Sequence, residues 1–338
     1  MKKSLFVFAL LAVATVGTAA NLFPVVVGGR WGYINDAGSI VINPQFDRAD
    51  AVSENLALVK SGSWGFVDTS GKYVINPQFD RAEIFHEGLA AVRGSGGGGP
   101  GPFDDPRPWS PWHGGGGGGR YGFINPSGKF IINPQFDDAG SFSAGLAAVR
   151  MGKWGFVDKA GKIIINPQFD EAYEFSDSLA LIKLGGRFGY TDKDGKLAIN
   201  PQFERAKSFS EGLAAVRSGG KWGFADKAGK LAVNPQFEDA GSFSAGLAPV
   251  RQGKRWGFIN PAGTFVINPQ FDDAQSFSEN VAPARQGKWG YVGKDGKFTI
   301  NAQFDEAWGF TNGLARVKLS GKFGYVNAAG KYVYNPSN

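Results

Sequence analysis

The sequence predicts an all-β protein, a tandem array of nine three-stranded β-meander repeats of 33–34 residues. Three observations carry this. An aromatic residue followed by glycine recurs at Trp31, Trp64, Tyr121, Trp154, Phe188, Trp222, Trp256, Trp289 and Phe323, at intervals of 33 or 34 residues apart from one of 57. The tetrapeptide Asn-Pro-Gln-Phe recurs in step, at Asn43, Asn76, Asn133, Asn166, Asn200, Asn234 and Asn268, with alanine for proline after Asn301 and a bare Asn335-Pro336 at the end. Finally, 338 residues that include 51 glycines, 18 prolines and 14% aromatics are too glycine-rich for a helical bundle and too aromatic for a disordered chain.

Ahead of the array, Lys2 and Lys3 precede an apolar run over residues 5 to about 16 and the small residues Gly17-Thr18-Ala19-Ala20. That pattern reads as a signal peptide, residues 1–20, cleaved before Asn21. The run is short for a membrane span, and the absence of cysteine excludes lipoprotein processing. Export is the expected localisation, to a periplasm or to the exterior and cell surface, with no transmembrane segment in the mature chain.

The array occupies residues 21–338, with units beginning near 22, 56, 89, 146, 179, 213, 247, 281 and 314. In the unit that begins at Leu146, residues 146–150, 154–158 and 162–166 are rich in β-branched, aromatic or alanine side chains and read as strands. Met151-Gly152-Lys153 and Asp158-Lys159-Ala160-Gly161-Lys162 read as tight turns, with Gly161 placed where a type I turn plus bulge requires positive φ. Pro167 has no N–H and biases Asn166 toward extended backbone, so the third strand is expected to end there. An irregular stretch should follow, in which the amides of Asn43, Gln45 and their equivalents satisfy loose backbone groups. Along the second strand Trp154 and Phe156 face one side while Gly155 and Val157 face the other. Both faces are therefore apolar, and each unit must be covered by its neighbours, large residues resting on the glycine and alanine of the next unit.

Gly152-Lys153-Trp154-Gly155-Phe156-Val157-Asp158, followed by Gly161-Lys162 and Asn166-Pro167-Gln168-Phe169, resembles the WG-repeat family, and the resemblance covers nearly all of the array. It implies a tandem β-repeat protein that serves as an interaction scaffold, and it brings no active site with it.

Two stackings of the units are compatible with the sequence. Residues 22–27 align with the first strand of a unit and 331–335 with the third strand of the last, so no strand need be shared between the termini. That phase favours an open twisted or solenoid-like stack. A short fourth strand within 136–142 would instead give four strands per unit and a closed β-propeller-like ring.

Candidate binding residues come from the columns of the repeat and from the one segment outside it. The aromatic column is read as structural, because Tyr121, Phe188 and Phe323 keep the ring but lose the indole N–H, as packing allows and a hydrogen-bonding site does not. Cations close the first strand at Lys60, Arg93, Arg150, Lys183, Arg217, Arg251, Arg285 and Lys318, with Val27 in the first unit. Acids recur at Asp47, Asp80, Asp137, Asp170, Glu204, Glu238, Asp272 and Asp305. Together these are either a surface ion-pair ladder of little energetic weight or a cationic stripe suited to an anionic envelope polysaccharide. Lysines at the hairpin tips, Lys72 and Lys162 among them, make a second basic column. Between Arg93 and Arg120 lies a Gly/Pro/Trp-rich hairpin insertion, residues 94–119, expected to be disordered; Phe103, Trp109 and Trp112 within it have no core to fill and suit partner anchoring.

No enzyme, cofactor or metal site is expected. The chain has no cysteine and only His86 and His113, its glycine runs lack the context of a phosphate loop, and carboxylates such as Asp137 and Asp170 recur in every unit. The 36 basic residues less Lys2 and Lys3, against 30 acidic ones, leave +4 after cleavage, spread evenly and without a nucleic-acid-binding motif, so nucleic acid is not an expected partner. The sequence points to an exported, non-enzymatic scaffold that binds a protein or an envelope polymer. The alternative is a glycan- or cell-wall-binding module using the cation column and exposed aromatics.

Overall fold

The computed structural model describes residues 21–94 and 119–337. The signal peptide read at 1–20, and residues 95–118 of the insertion with Phe103, Trp109 and Trp112, lie outside the described residues. The described chain is built of antiparallel strands: one three-stranded sheet, one seven-stranded sheet and six four-stranded sheets. Tyr73–Ala82 runs unbroken from one unit into the next and so joins two units in the seven-stranded sheet, which makes nine units in all.

In the fourth unit Asp138–Ser143, Leu146–Met151, Lys153–Asp158 and Ile163–Phe169 pair in that order. These are its inner, first, second and third strands. The turn after Asp158 forms as its residues dictate: Gly161 has φ 83°, its N–H donates to the Asp158 carbonyl at 3.0 Å, and Asp158 Oδ1 accepts from the Ala160 and Lys162 amides at 3.0 and 2.9 Å. Asn35, Asn125, Asn260 and Asn327 do the same with an amide oxygen.

Three local expectations change. The third strand does not stop at proline but continues to Phe169, which pairs with Trp154 across a register shift. This strand is the outer edge of its sheet, where the missing N–H of Pro167 leaves no ladder bond unmade. Asn166 and Gln168 are accordingly exposed rather than turned toward loose backbone. Gly155 is needed by its own sheet and not by the neighbouring one: a Cβ there would stand 2.4 Å from the Ile165 carbonyl oxygen and 2.7 Å from the Pro167 nitrogen, where the bulged third strand crosses. The stretch expected to be irregular holds the inner strand.

The core is distributed between units. Trp154, Phe156, Ile165 and Phe169 of the fourth unit bury against Ala172, Phe175, Ala180 and Ile182 of the fifth, while Ala147, Val149 and Val157 bury against Tyr121 and Phe123 of the third. The two ends of the array meet in the same way. Phe23, Val25 and Ile34 share a core with Leu314 and Tyr325, and Tyr325 Oη donates to the Pro24 carbonyl at 2.8 Å. Of the two stackings, the closed propeller-like ring forms in place of the open one. An open stack would leave an apolar sheet face in water at each end, and the added inner strand gives each unit the four-stranded form that ring closure uses.

Candidate functional site

Antiparallel pairing sorts the loops between the two faces of the ring. Turns from first to second strand, and crossings from a third strand to the next inner strand, lie at one face; the remaining turns lie at the other. The insertion leaves the ring at the first of these faces, from the hairpin of Ala90–Gly94 and Tyr121–Ile124, in which Arg93 pairs with Tyr121.

At that face the acids tie each crossing to the adjoining hairpin. Asp137 accepts from the Gly152 amide at 2.8 Å and from Arg120 Nη1 at 3.0 Å. The same ion pair, to the residue just before the repeat aromatic, joins Arg30 to Asp47, Lys153 to Asp170, Lys221 to Glu238, Arg255 to Asp272 and Lys288 to Asp305. Hydrogen bonds from Lys153, Lys221 and Lys288 hold the carboxyls of Asp170, Glu238 and Asp305 below the usual carboxylate range.

The first-strand cations mostly meet a different set of acids, those that open the inner strand. Arg150 lies 4.0 Å from Asp138, Lys183 2.8 Å from Glu171, Arg285 3.8 Å from Asp273 and Lys318 2.8 Å from Glu306, and Arg251 stands opposite Asp239 in register. Arg217 is the member that reaches the acid column itself, 4.0 Å from Glu204. Arg93, Lys183 and Arg285 also lie over the rings of Tyr121, Phe188 and Trp289 at 5.6, 5.3 and 5.8 Å. The aromatics they cover are buried, as Tyr121, Trp154 and Trp222 are, or half-buried, as Trp31, Trp64, Phe188, Trp256, Trp289 and Phe323 are. Lys60, Arg93 and Arg217 stand instead opposite Arg48, Arg81 and Arg205 in register, so the ladder arrangement holds for Arg150, Lys183, Arg285 and Lys318. Register also moves the first unit's member of this column by one residue, because Val26 pairs with Trp31 as Lys60 pairs with Trp64, so Val26 and not Val27 is the equivalent.

Sequence reasoning passed over the wall of inner strands. Desolvation by the surrounding wall raises the carboxyls of Asp50, Asp138 and Glu174 above their ordinary values, Asp138 being buried and Asp50 and Glu174 exposed at its surface. Glu83 is raised well above its own by burial and by repulsion from Asp50, Glu174 and Asp138, against the attraction of Arg81. Lys207 is lowered by burial, against the attraction of Asp239. The signal was present: Asp50, Glu83, Gly140, Tyr173, Lys207, Gly241, Gln275 and Trp308 share one column, which changes chemistry from unit to unit beside alanines that do not. Among the described residues no group of three or more acids and histidines has the geometry to hold a metal, and no helix is long and apolar enough to cross a membrane.

A crystal structure described as that of the eukaryotic initiation factor superposes with a TM-score of 0.63 at 10% identity, over 95% of this chain and 96% of that one. At that identity the likeness bears on the fold alone. Dihydro-heme d1 dehydrogenase NirN in complex with DHE gives 0.49 at 11% identity over 95% and 74% of the two chains, and Kluyveromyces lactis Hsv2p gives 0.41 at 9% over 74% and 92%. No curated protein matches the sequence. The family model for the WG containing repeat matches residues 31–63, 64–96, 121–153, 154–188, 188–222, 222–256, 256–288 and 289–323. Those spans start at the aromatic–glycine pairs and cover most of the chain, which therefore belongs to the WG containing repeat family.

Proposed function

We propose that the chain is an exported, non-enzymatic scaffold that holds a protein or envelope-polymer partner at the insertion-bearing face of its ring. The observation that carries this is the contrast between the columns and the insertion. Most described acids, cations and aromatics of the columns are committed to ties within and between sheets, whereas residues 95–118 are inserted in a hairpin whose strands already pair from Ala90↔Ile124 to Arg93↔Tyr121. An insertion at such a hairpin can carry specificity without altering the pairing of its strands. The leader pattern at 1–20 supports export, and the recurrence of every column carboxylate supports a scaffold over a catalyst.

Deleting residues 95–118 tests the reading. Thermal unfolding should stay within a few degrees of the parent, while capture of the partner from an envelope fraction is lost; unchanged capture would contradict it. A polysaccharide pull-down at low and raised salt separates the glycan-binding alternative, which requires binding that fades with salt.

A further inference from the structure

Eight units have an inner strand; the first unit, Phe23–Val27, Arg30–Ile34 and Ile40–Phe46, has none among the described residues. Its first strand therefore turns toward the channel an edge that is covered elsewhere. In other units the carbonyls of Lys60, Arg150 and Arg217 accept backbone N–H groups entering the inner strand at 2.8, 2.8 and 2.9 Å, and Val26 stands at their position in register.

The residues around this edge depart from their columns. Phe23 stands where every other unit has alanine, Ala57 and Ala315 for example, and packs on Tyr325 with ring centroids 5.6 Å apart. In other units that place is taken by the inner-strand phenylalanine, as when Phe175 packs on Phe156 at 5.1 Å or Phe310 on Tyr291 at 4.9 Å. Tyr325 Oη reaches the Pro24 carbonyl, whereas Tyr190 and Tyr291 reach inner-strand carbonyls at Lys207 and Trp308. Val26 replaces the column cation, so no charge awaits an inner-strand acid there. Arg316 replaces a leucine, alanine or proline, and its guanidinium lies 4.4 and 4.9 Å from the ring centroids of Trp308 and Phe323. A groove results, lined by Val26, Trp31, Arg316, Phe323 and Tyr334.

We propose that this groove takes one extended acidic peptide strand of a partner protein, laid against Phe23–Val27 as a ninth inner strand. The backbone edge calls for a strand, and Arg316 calls for a carboxylate. Its place along the strand is set by the neighbouring units: a Cβ on Gly241 would meet both Pro249, the column mate of Arg316, and Ser276 of the next inner strand. The acid therefore belongs at the Ser276 position, with a small residue following it, since Phe23 already fills the phenylalanine place. Residues 13–19, which directly precede the first unit, carry no charge for Arg316, and the inner strands of a second copy are committed to their own sheets. The groove lies on the channel wall of the first unit, apart from the insertion, and stands whether or not the insertion binds.

The test uses the chain from Asn21 and a fluorescent heptapeptide, Asp-Asp-Ala-Gly-Glu-Ala-Ser, which follows the fourth unit's inner strand with glutamate at the Arg316 position and alanine beside Phe23. Saturable binding by anisotropy is expected, weakened at least tenfold by Arg316→Ala or by glutamine in place of the peptide's glutamate, and unaltered by Lys162→Ala on another unit. Fusing the peptide in place of residues 13–19, ahead of Ala20-Asn21, should block the free peptide while leaving the circular dichroism spectrum intact, and the glutamine peptide keeps the test independent of how the Arg316 variant folds. Absence of saturable binding, or indifference to Arg316→Ala, overturns the proposal. Binding by the chain from Asn21 that is abolished when residues 1–20 are retained, or that appears only once residues 95–118 are removed, overturns it in favour of the chain's own segment, and dimerisation abolished by Arg316→Glu does so in favour of a second copy.

Discussion

Glycine after the repeat aromatic and glycine in the first-to-second-strand hairpin look alike in sequence, yet they answer to different physical demands. Gly152 has φ 74° with no atom within 4 Å of where its Cβ would stand, whereas Gly155 has the Ile165 carbonyl oxygen at 2.4 Å from that point. Gly152→Ala should therefore cost about 1 kcal/mol, the strain of a left-handed residue. Gly155→Ala must displace backbone in its own sheet and should cost about 3 kcal/mol or more, read as a lower urea midpoint for unfolding. The position of both glycines was legible from the period. The reason for Gly155 was not, because it depends on a bulge in a strand whose end the proline had seemed to mark.

The inner strand was the least legible element, and it holds carboxyls that folding raises above their ordinary values. Only the alternation of one alanine and one phenylalanine marked it, and in several units it is two residues long, as in Arg205–Ala206 and Asp239–Ala240. Periodicity cannot resolve so short a strand. Its carboxyls are raised on folding, so the folded protein binds more protons than the unfolded chain between their two ranges. These groups therefore reduce stability as pH rises through the folded values, and their penalty is relieved as pH falls toward the ordinary carboxylate range. The ion-paired Asp170 and Asp305, held low, act in the opposite sense: their contribution is present above the ordinary range and is lost in stronger acid. Glu83→Gln should accordingly raise the unfolding temperature at pH 7–8, with the gain shrinking as the pH is lowered toward 4. A variant no more stable than the parent at neutral pH would show that Glu83 is not held under strain by Asp50, Asp138 and Glu174.

For the whole molecule, nine units with apolar faces on both sides pose one question, which is what covers the first and the last. The phase of the repeat spoke for an open stack because it counted three strands per unit and found nothing shared between the ends. Closure instead joins the three-stranded first unit to the last through side chains, Phe23 on Tyr325 and the tyrosine hydroxyl on Pro24. The trace of it in the sequence was a single phenylalanine in an alanine column. Since the chain has no native cysteine, spin labels can be placed at will. Arg30, Lys288 and Lys322 are equivalent exposed positions, each just before the repeat aromatic, in the first, eighth and ninth units. Pulsed electron resonance on labelled Arg30→Cys/Lys322→Cys should give the same distance as Lys288→Cys/Lys322→Cys, the spacing of adjacent units. A distance for the first pair that is several unit spacings longer would contradict the closed ring.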